Sequence, residues 1–415
     1  MTSTHATTTR AVFISAHSPL VFRSGRPFGA EDDGGGGAAY GFPSSTSVAG
    51  ALRAAWCDAT GHVHQPQDRL LHQLVVRGGL RCTWHAVHGG ELWLPRPANA
   101  LARDHHKRWQ WVAANPEPAG NAANAGGCDL PYSLRPVLPA EPGEYVNHAD
   151  WWRQSAVESW LAEPRPTCAA FSPYDLLPPP PTDTRTHVSI SAHNNQATPG
   201  GLFASTGLDF STDAAKAADQ EQGLLCWVDG PASVMDTLEQ LHLRHGRLGA
   251  EGRSAAYRLG SVEPGAAALP LPNCPTELAE ELDAVEENQT LRLMLATPAC
   301  YLRNGWFPDG LRPQRDGDRG EVIRGSMVGL PDWRFELVAA AVGRFQSSSG
   351  ALMRNEQGAR AFVPRPLHRL VPAGSMYWLK VLQRGETPLS SRWWQSTCYA
   401  EYARDGHGLG LWGLA

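Results

Sequence analysis

The stretch "GLRCTWHAVHGGELWLP", Gly79–Pro95, decides how the first half of the chain is read. Its arms alternate apolar and polar residues on either side of Gly89-Gly90, the pattern of two strands joined by a tight turn. Upstream, "RAVFISA" (Arg10–Ala16) reads as a strand. The hydroxyls of "PSSTS" suit the start of a helix over Thr46–Ala59, with Val48, Leu52, Ala55 and Trp56 on one face. A second short helix is expected at "DRLLHQLVV" (Asp68–Val76). Strand, helix and two strands in this order open a ferredoxin-like unit.

Downstream, Arg96–Glu144 is rich in Pro, Ala and Asn and reads as irregular. A helix is expected within "HADWWRQSAVESWLA" (His148–Ala162). "RTHVSIS" (Arg185–Ser191) and "GLFASTGLDF" (Gly201–Phe210) read as two extended arms around a long tip, "AHNNQATPG". A strand at "GLLCWVDG", a helix at "SVMDTLEQLHL" and a strand at "SAAYRLG" close the first unit, before linker-like "SVEPGAAALPLPNCP". New strands follow at "LRLMLATPACY", "RFELVAAAVGRF" and "SMYWLKVL", and the chain ends in "DGHGLGLWGLA". The expectation is an α+β protein of two units, 1–262 and 288–415, with no sequence repeat relating them.

With 415 residues, 42% hydrophobic and 19% charged, the composition is that of a globular chain able to bury two cores. No apolar run reaches the ~20 residues of a bilayer span, so no membrane contact is expected. The 8 cysteines are scattered without a C-x-x-C pair, which argues against a zinc site or a disulfide framework and for a reducing cytoplasm. The net charge of −5 argues against indiscriminate nucleic-acid binding. The basic residues are nearly all arginine, with lysine only at Lys107, Lys216 and Lys380; arginine suits bidentate phosphate contacts.

Enzyme motifs are missing: there is no Walker loop, no dinucleotide fingerprint after a strand and no nucleophile elbow. His85 and His88 are three apart on an expected strand and so point to opposite faces. His62 with His64 and "RDHH" (Arg103–His106) have no supporting ligands nearby. No cofactor or metal is expected. What remains suits a phosphate backbone. Ser44, Ser45, Thr46 and Ser47 open a helix whose dipole favours an anion, with Arg53 two turns on. Gly406, His407 and Gly408 form a glycine-rich bend. Arg365 and Arg369 precede a strand, Arg185 and His187 stand at the root of the long hairpin, and Arg23 and Arg26 sit in the turn-rich "HSPLVFRSGRPFG" (His17–Gly29).

Taken in order, "HSPLVFRSGRPFG", "FPSSTSVAGALR", "RTHVSI…GGLFAST", "GRLGAEGR", "LATPACYLRNGWFP", "VAAAVGRF", "PRPLHRLVPAGSMYW" and "DGHGLGLWG" resemble the third-subunit family of type III-B CRISPR Cmr effector complexes. These are RAMP proteins, and the resemblance runs from about Phe13 to Trp412. "LGAEGR" departs from the family's "LGGE-R", and the region about Arg96–Glu144 carries no stretch that resembles it.

The resemblance implies two ferredoxin-like (RRM-like) RAMP domains with long insertions and a β-hairpin thumb at about 184–210. It implies a non-catalytic subunit that seats the 5′ tag and first guide nucleotides of crRNA in antiviral defence. Its partners would be the large cyclase/polymerase-like head subunit, a RAMP backbone subunit and, indirectly, target RNA. RNA would meet Arg23, Arg26, Ser44–Ser47, Arg53, Arg185, His187, Phe203, Arg365, Arg369 and Gly406–Gly408, with Val188, Ile190 and Phe203 as the thumb's wedge. The rival readings are a repeat-cutting RAMP endoribonuclease using His17 or His407, a protein-only scaffold, and the equivalent subunit of another type III complex.

Overall fold

The computed structural model describes residues 8–22, 41–62, 71, 73–85, 89–105, 108–118, 132–139, 141–146, 151–166, 168–169, 171–210, 220–250, 252–260, 270–348, 351–356, 359–364 and 366–415. It is a mixed fold, mostly strands with few helices. Four antiparallel strands centre the first sheet, in the spatial order Val75–His85, Gln220–Gly230, Thr8–Ala16, Ser254–Leu259. By place in the chain these are the second, third, first and fourth strands. A helix, α1 (Ser45–Thr60), connects the first to the second, and Ala232–Leu238 lies between the third and fourth.

The expected 79–95 hairpin is present with two corrections. Gly89 and Gly90 pair with His85 and Trp84, so they begin the return arm instead of making the turn. The return arm, Gly89–Pro95, lies outside the central four strands, with Trp151–Arg153 and Leu176–Leu177 beyond it. The partner that completes the central pattern is Gln220–Gly230, which makes residues 86–219 one long insertion between two paired strands. Val75 and Val76 belong to the strand and not to the expected 68–76 helix.

The second sheet repeats the order. Leu330–Ala341, Met376–Gln383, Thr290–Leu295 and Leu409–Leu414 are again second, third, first and fourth. No α-helix fills its first connection, whose helical content is a 3-10 turn at Gly317–Arg319. The strand expected to run to Tyr301 stops at Leu295, and Ala296–Gly310 folds over the sheet as a loop stitched by polar side chains. Tyr377 Oη donates to the Trp306 carbonyl at 2.6 Å, Tyr301 and Thr397 hydroxyls lie 2.8 Å apart, and the Asn304 amide donates to the Pro308 and Leu311 carbonyls. Helix Thr276–Asp283 precedes the expected start of this unit and is tied to it: Asp283 accepts from the backbone N–H and hydroxyl of Ser390.

The segment read as irregular is also ordered where described. Ala100–His105 pairs with Arg108–Pro116, and Val137–Pro139 and Cys168–Ala169 extend that pair. Its inward face is Ala100, Ala102, Trp111 and Ala113, all buried. Three alanines give a weak alternation signal, which is why composition pointed to a loop.

Two cores divide the apolar residues. Val12, Ile14, Val76, Leu224 and Val228 on one face of the first sheet pack under Val48, Leu52 and Trp56 of α1. Phe13, Leu80, Leu225 and Trp227 on its other face share a single core with Leu291, Leu293, Trp378 and Trp412 of the second sheet. Strand alternation sends successive residues to opposite faces, so Phe13 joins the units while Val12 and Ile14 hold the helix.

The inserted helix Gln154–Ala162 is fixed by a buried charge from the second sheet. Arg292 is fully buried and donates to the carbonyls of Trp160 (2.8 Å), Leu161 (3.2 Å), Glu163 and Leu414. The first three are carbonyls from the helix's C-terminal end, where a cation is favoured. Burial pushes the guanidinium down to about 10, still far above neutrality. Removing it strands several carbonyls, each costing about 1–3 kcal/mol. Arg292→Met should therefore lower unfolding free energy by about 3 kcal/mol or more and raise amide exchange first in Gln154–Ala162. Unchanged exchange there would refute this role.

Candidate nucleic-acid interface

The α1 start and the glycine-rich bend, far apart in sequence, meet. Ser44 caps α1, its Oγ accepting from the Ser47 N–H at 3.3 Å. Ser44 and Ser45 are buried, while Thr46 and Ser47 are half-buried. Thr46 Oγ1 lies 2.7 Å from His407 Nε2, and His407 Nδ1 lies 3.0 Å from the Pro298 carbonyl. A carbonyl only accepts, so Nδ1 carries the proton, and in the neutral ring Nε2 accepts from the threonine hydroxyl. Both ring nitrogens of buried His407 are thus engaged within the protein.

Arg53 is turned to the same joint. It forms an ion pair with Asp405 at 2.6 Å and donates to the carbonyls of Leu74 (2.9 Å) and Arg404 (3.2 Å). Its charge serves the contact between units.

The glycines have a geometric cause. The sheet strand bulges at Gly78 and Gly79, both with positive φ, where Leu225 pairs with Leu80 and Cys226 with Gly78. Gly406, at φ 85, lies on that bulge: a Cβ there would come within 2.7 Å of the Val76 carbonyl and 2.9 Å of the Gly78 nitrogen. Gly408, at φ 67, would collide with Cys398 Sγ at 2.6 Å. Close approach of backbone to backbone requires Gly406, while Gly408 combines a positive φ with close packing against the Cys398 and Thr397 side chains. Ser44, Ser45, Arg53, Gly406, His407 and Gly408 therefore converge as a joint, with Thr46 and Ser47 at its outer rim.

The hairpin is present as Thr182–Ile190 paired with Ala197–Leu208. Its tip is shorter than expected, since Ala197–Gly200 already lies in the returning strand. Backbone bonds of the Ser191 and Asn195 amides and an Asn194 Oδ1 contact to the Gln196 N–H order the turn. The root is fixed at two points. Gly207 and Leu208 pair with Val21 and Leu20. Buried Arg81 donates to the Pro178 carbonyl at 2.5 Å and to Gln222 at 2.8 Å, its guanidinium pushed down to about 9 by burial.

Register sorts the hairpin's side chains. His187 faces Phe203, their rings stacked 5.2 Å apart, and His187 Nε2 meets Ser205 Oγ at 2.7 Å. Arg185, two residues along on the same face, holds Asp183 at 2.7 Å. Val188 faces Leu202 on the opposite side, and these are 47% and 66% exposed, with Ile190 at 60% beyond a bulge. Of the residues expected to form a wedge, Phe203 therefore lies on the face opposite Val188, and Leu202, missed in the sequence, shares the face of Val188. The period of two running back from Leu208 could have identified it.

Arg369 is exposed, its guanidinium 4.9 Å from the centre of the Phe345 ring. Arg23, Arg26 and Arg365 lie outside the described residues. His17 is exposed, its ring 4.9 Å from that of His245. Among the described residues no three His, Cys, Asp or Glu side chains converge to hold a metal, and no helix is long and apolar enough to cross a membrane.

A family model described as CRISPR-associated protein (Cas_Cmr3) matches residues 12–415. The chain belongs to the Cas_Cmr3 family. Among solved structures, it is similar at 13% identity and a TM-score of 0.41 to a chain of the Type III-B Cmr-beta bound to cognate target RNA, covering 97% of this chain and 96% of that one. A second, from Type III-B Cmr-beta bound to cognate target RNA and AMPPnP in state 1, gives 11% identity and a TM-score of 0.40 over 89% and 86%. A search of curated proteins finds no match.

In this Cas_Cmr3-family chain, Arg53→Ala leaves nearly buried Asp405 with only the more distant Arg404 guanidinium, 4.0 Å away, a loss of up to about 3 kcal/mol. The account expects that destabilisation in denaturant melts and a partial rescue in Arg53→Ala/Asp405→Ala. Full stability in the single variant would contradict it.

Proposed function

We propose that this chain is the non-catalytic RNA-binding subunit of a type III-B CRISPR effector complex, seating the crRNA 5′ tag and joining the head subunit to a RAMP backbone subunit. Membership of the Cas_Cmr3 family supports this reading. So does the strand order second-third-first-fourth in both sheets, which is that of two ferredoxin-like, RRM-like RAMP domains. An RRM reads RNA with aromatic residues on its open sheet face. Here Phe13 and Trp227 occupy that face and are buried against the second unit, so RNA is left to the projections.

The observation that carries the proposal is the thumb at 182–208. A two-stranded ribbon is marginal by itself, and this one exposes Val188, Ile190 and Leu202 near its tip. Apolar side chains on a polar ribbon fit a wedge that parts stacked bases and then covers them. Unstacking costs a few kcal/mol, and base contacts of about 1–3 kcal/mol each offset it. His407, engaged at both nitrogens, and His17, placed against His245, offer no converging acid, base and nucleophile. Target RNA is then cut elsewhere in the complex.

Val188→Ser/Leu202→Ser tests the thumb in the assembled complex. Because both residues are exposed, folding should be preserved, while chemical probing should show altered reactivity of the guide nucleotide beside the tag. Normal assembly with unchanged reactivity there would reject the assignment.

A further inference from the structure

The second unit has a projection that the sequence reading did not separate out. Gln346–Ser348 pairs with His368–Leu370, and Ala351–Glu356 pairs with Ala359–Pro364. Together they form a hairpin in the connection between Leu330–Ala341 and Met376–Gln383, the second and third strands of their sheet. The thumb occupies the same connection in the first sheet, between Val75–His85 and Gln220–Gly230. The two arms are topological equivalents.

Their chemistry differs. Residues 182–208 contain one arginine and one aspartate. Residues 344–369 contain five arginines (Arg344, Arg354, Arg360, Arg365, Arg369) against Glu356 alone, in a chain of net charge −5. Arg354 pairs with Ala361 and Arg360 with Asn355 along the ribbon's backbone. At the root, Arg344 and Arg369 are exposed and have no acidic partner among the described residues. Arg369 lies over Phe345, which is 48% exposed, and Leu367 beside it is 55% exposed. The root is also anchored. His368 meets Tyr402 edge-on at 5.6 Å, Tyr402 meets His407 at 5.7 Å, and a small cleft lined by Thr46, Ser348 and His368 joins the arm to the α1 joint.

We infer that Gln346–Leu370 is a second arm that grips a single-stranded polynucleotide at its root, Arg344 and Arg369 on the phosphates and Phe345 under a base. The inference rests on the proposed function and extends it: the thumb supplies an apolar wedge, and this arm supplies the charge the thumb lacks. An exposed aromatic ring with a stacked guanidinium, beside a second arginine that has no acidic partner among the described residues, suits sequence-tolerant single-strand binding. A protein partner would call for acidic complementarity instead.

The test uses the purified full chain and a fluorescent single-stranded RNA carrying the repeat-derived tag, titrated at several salt concentrations. Arg344→Gln/Arg369→Gln should weaken binding about ten-fold and make the log–log salt slope shallower by about 1.4, two single-strand phosphate contacts. Phe345→Ser should weaken binding about ten-fold with the slope unchanged. Circular dichroism melts verify that each variant folds. If Val188→Ser/Leu202→Ser weakens binding while the arm variants do not, the arm is wrong and the RNA reading stands. If the wild-type chain does not bind this RNA, both fall. Arm variants that keep RNA affinity but fail to assemble would assign the surface to a protein and overturn the inference.

Discussion

The structure depends on one close backbone approach: Gly406 of the second unit lying on the Gly78–Gly79 bulge of the first. No side chain larger than hydrogen fits at that crossing, since a Cβ on Gly406 would meet Val76 and Gly78 backbone atoms within 3 Å. Around it the Arg53–Asp405 pair and the Thr46–His407 hydrogen bond fasten the α1 start to the same bend. Hydrogen bonds extend the joint into the second sheet, with Thr297 Oγ1 donating to the Gly406 carbonyl and accepting from the Leu409 N–H. This polar seam fixes how the two sheets meet, and the Phe13–Trp227 face is closed as a result.

That closure shapes the function. A sheet with helices on one face ordinarily keeps the other for ligands. Here the second sheet takes that face, and the long insertions do the projecting. Both insertions leave from the same strand–strand connection, and each is anchored by a buried or half-buried polar group, Arg81 for the first and His368 for the second. The arms can therefore differ in chemistry without changing how they are mounted.

Much of the fold was legible because strands with one buried face alternate clearly: Thr8–Ala16, Gln220–Gly230, Ser254–Leu259 and Met376–Gln383 lie where strands were expected, to within a few residues. The duplication was not legible. It resides in strand order, and the sequence between Val75–His85 and Gln220–Gly230 is interrupted by an insertion that includes a hairpin of its own. The Arg96–Glu144 region was misread because a face of alanines carries little hydrophobic contrast. At the candidate site, serines, glycines and an arginine near a helix start resemble phosphate-binding chemistry, and the same residues serve equally well to bring two backbones together. Only their partners, 352 residues away in the case of Arg53 and Asp405, distinguish the two uses. The thumb was readable in outline, while the face of each side chain required the register.

The central claim is that RNA meets the two arms and not a sheet face. Site-specific photocrosslinking tests it most directly: a complex assembled on crRNA with 4-thiouridine at successive tag positions is irradiated, and the crosslinked peptides are identified by mass spectrometry. The account predicts crosslinks within 182–208 and 344–370 and none to peptides containing Phe13 or Trp227. Crosslinks concentrated on those buried sheet residues, with both arms untouched, would contradict it.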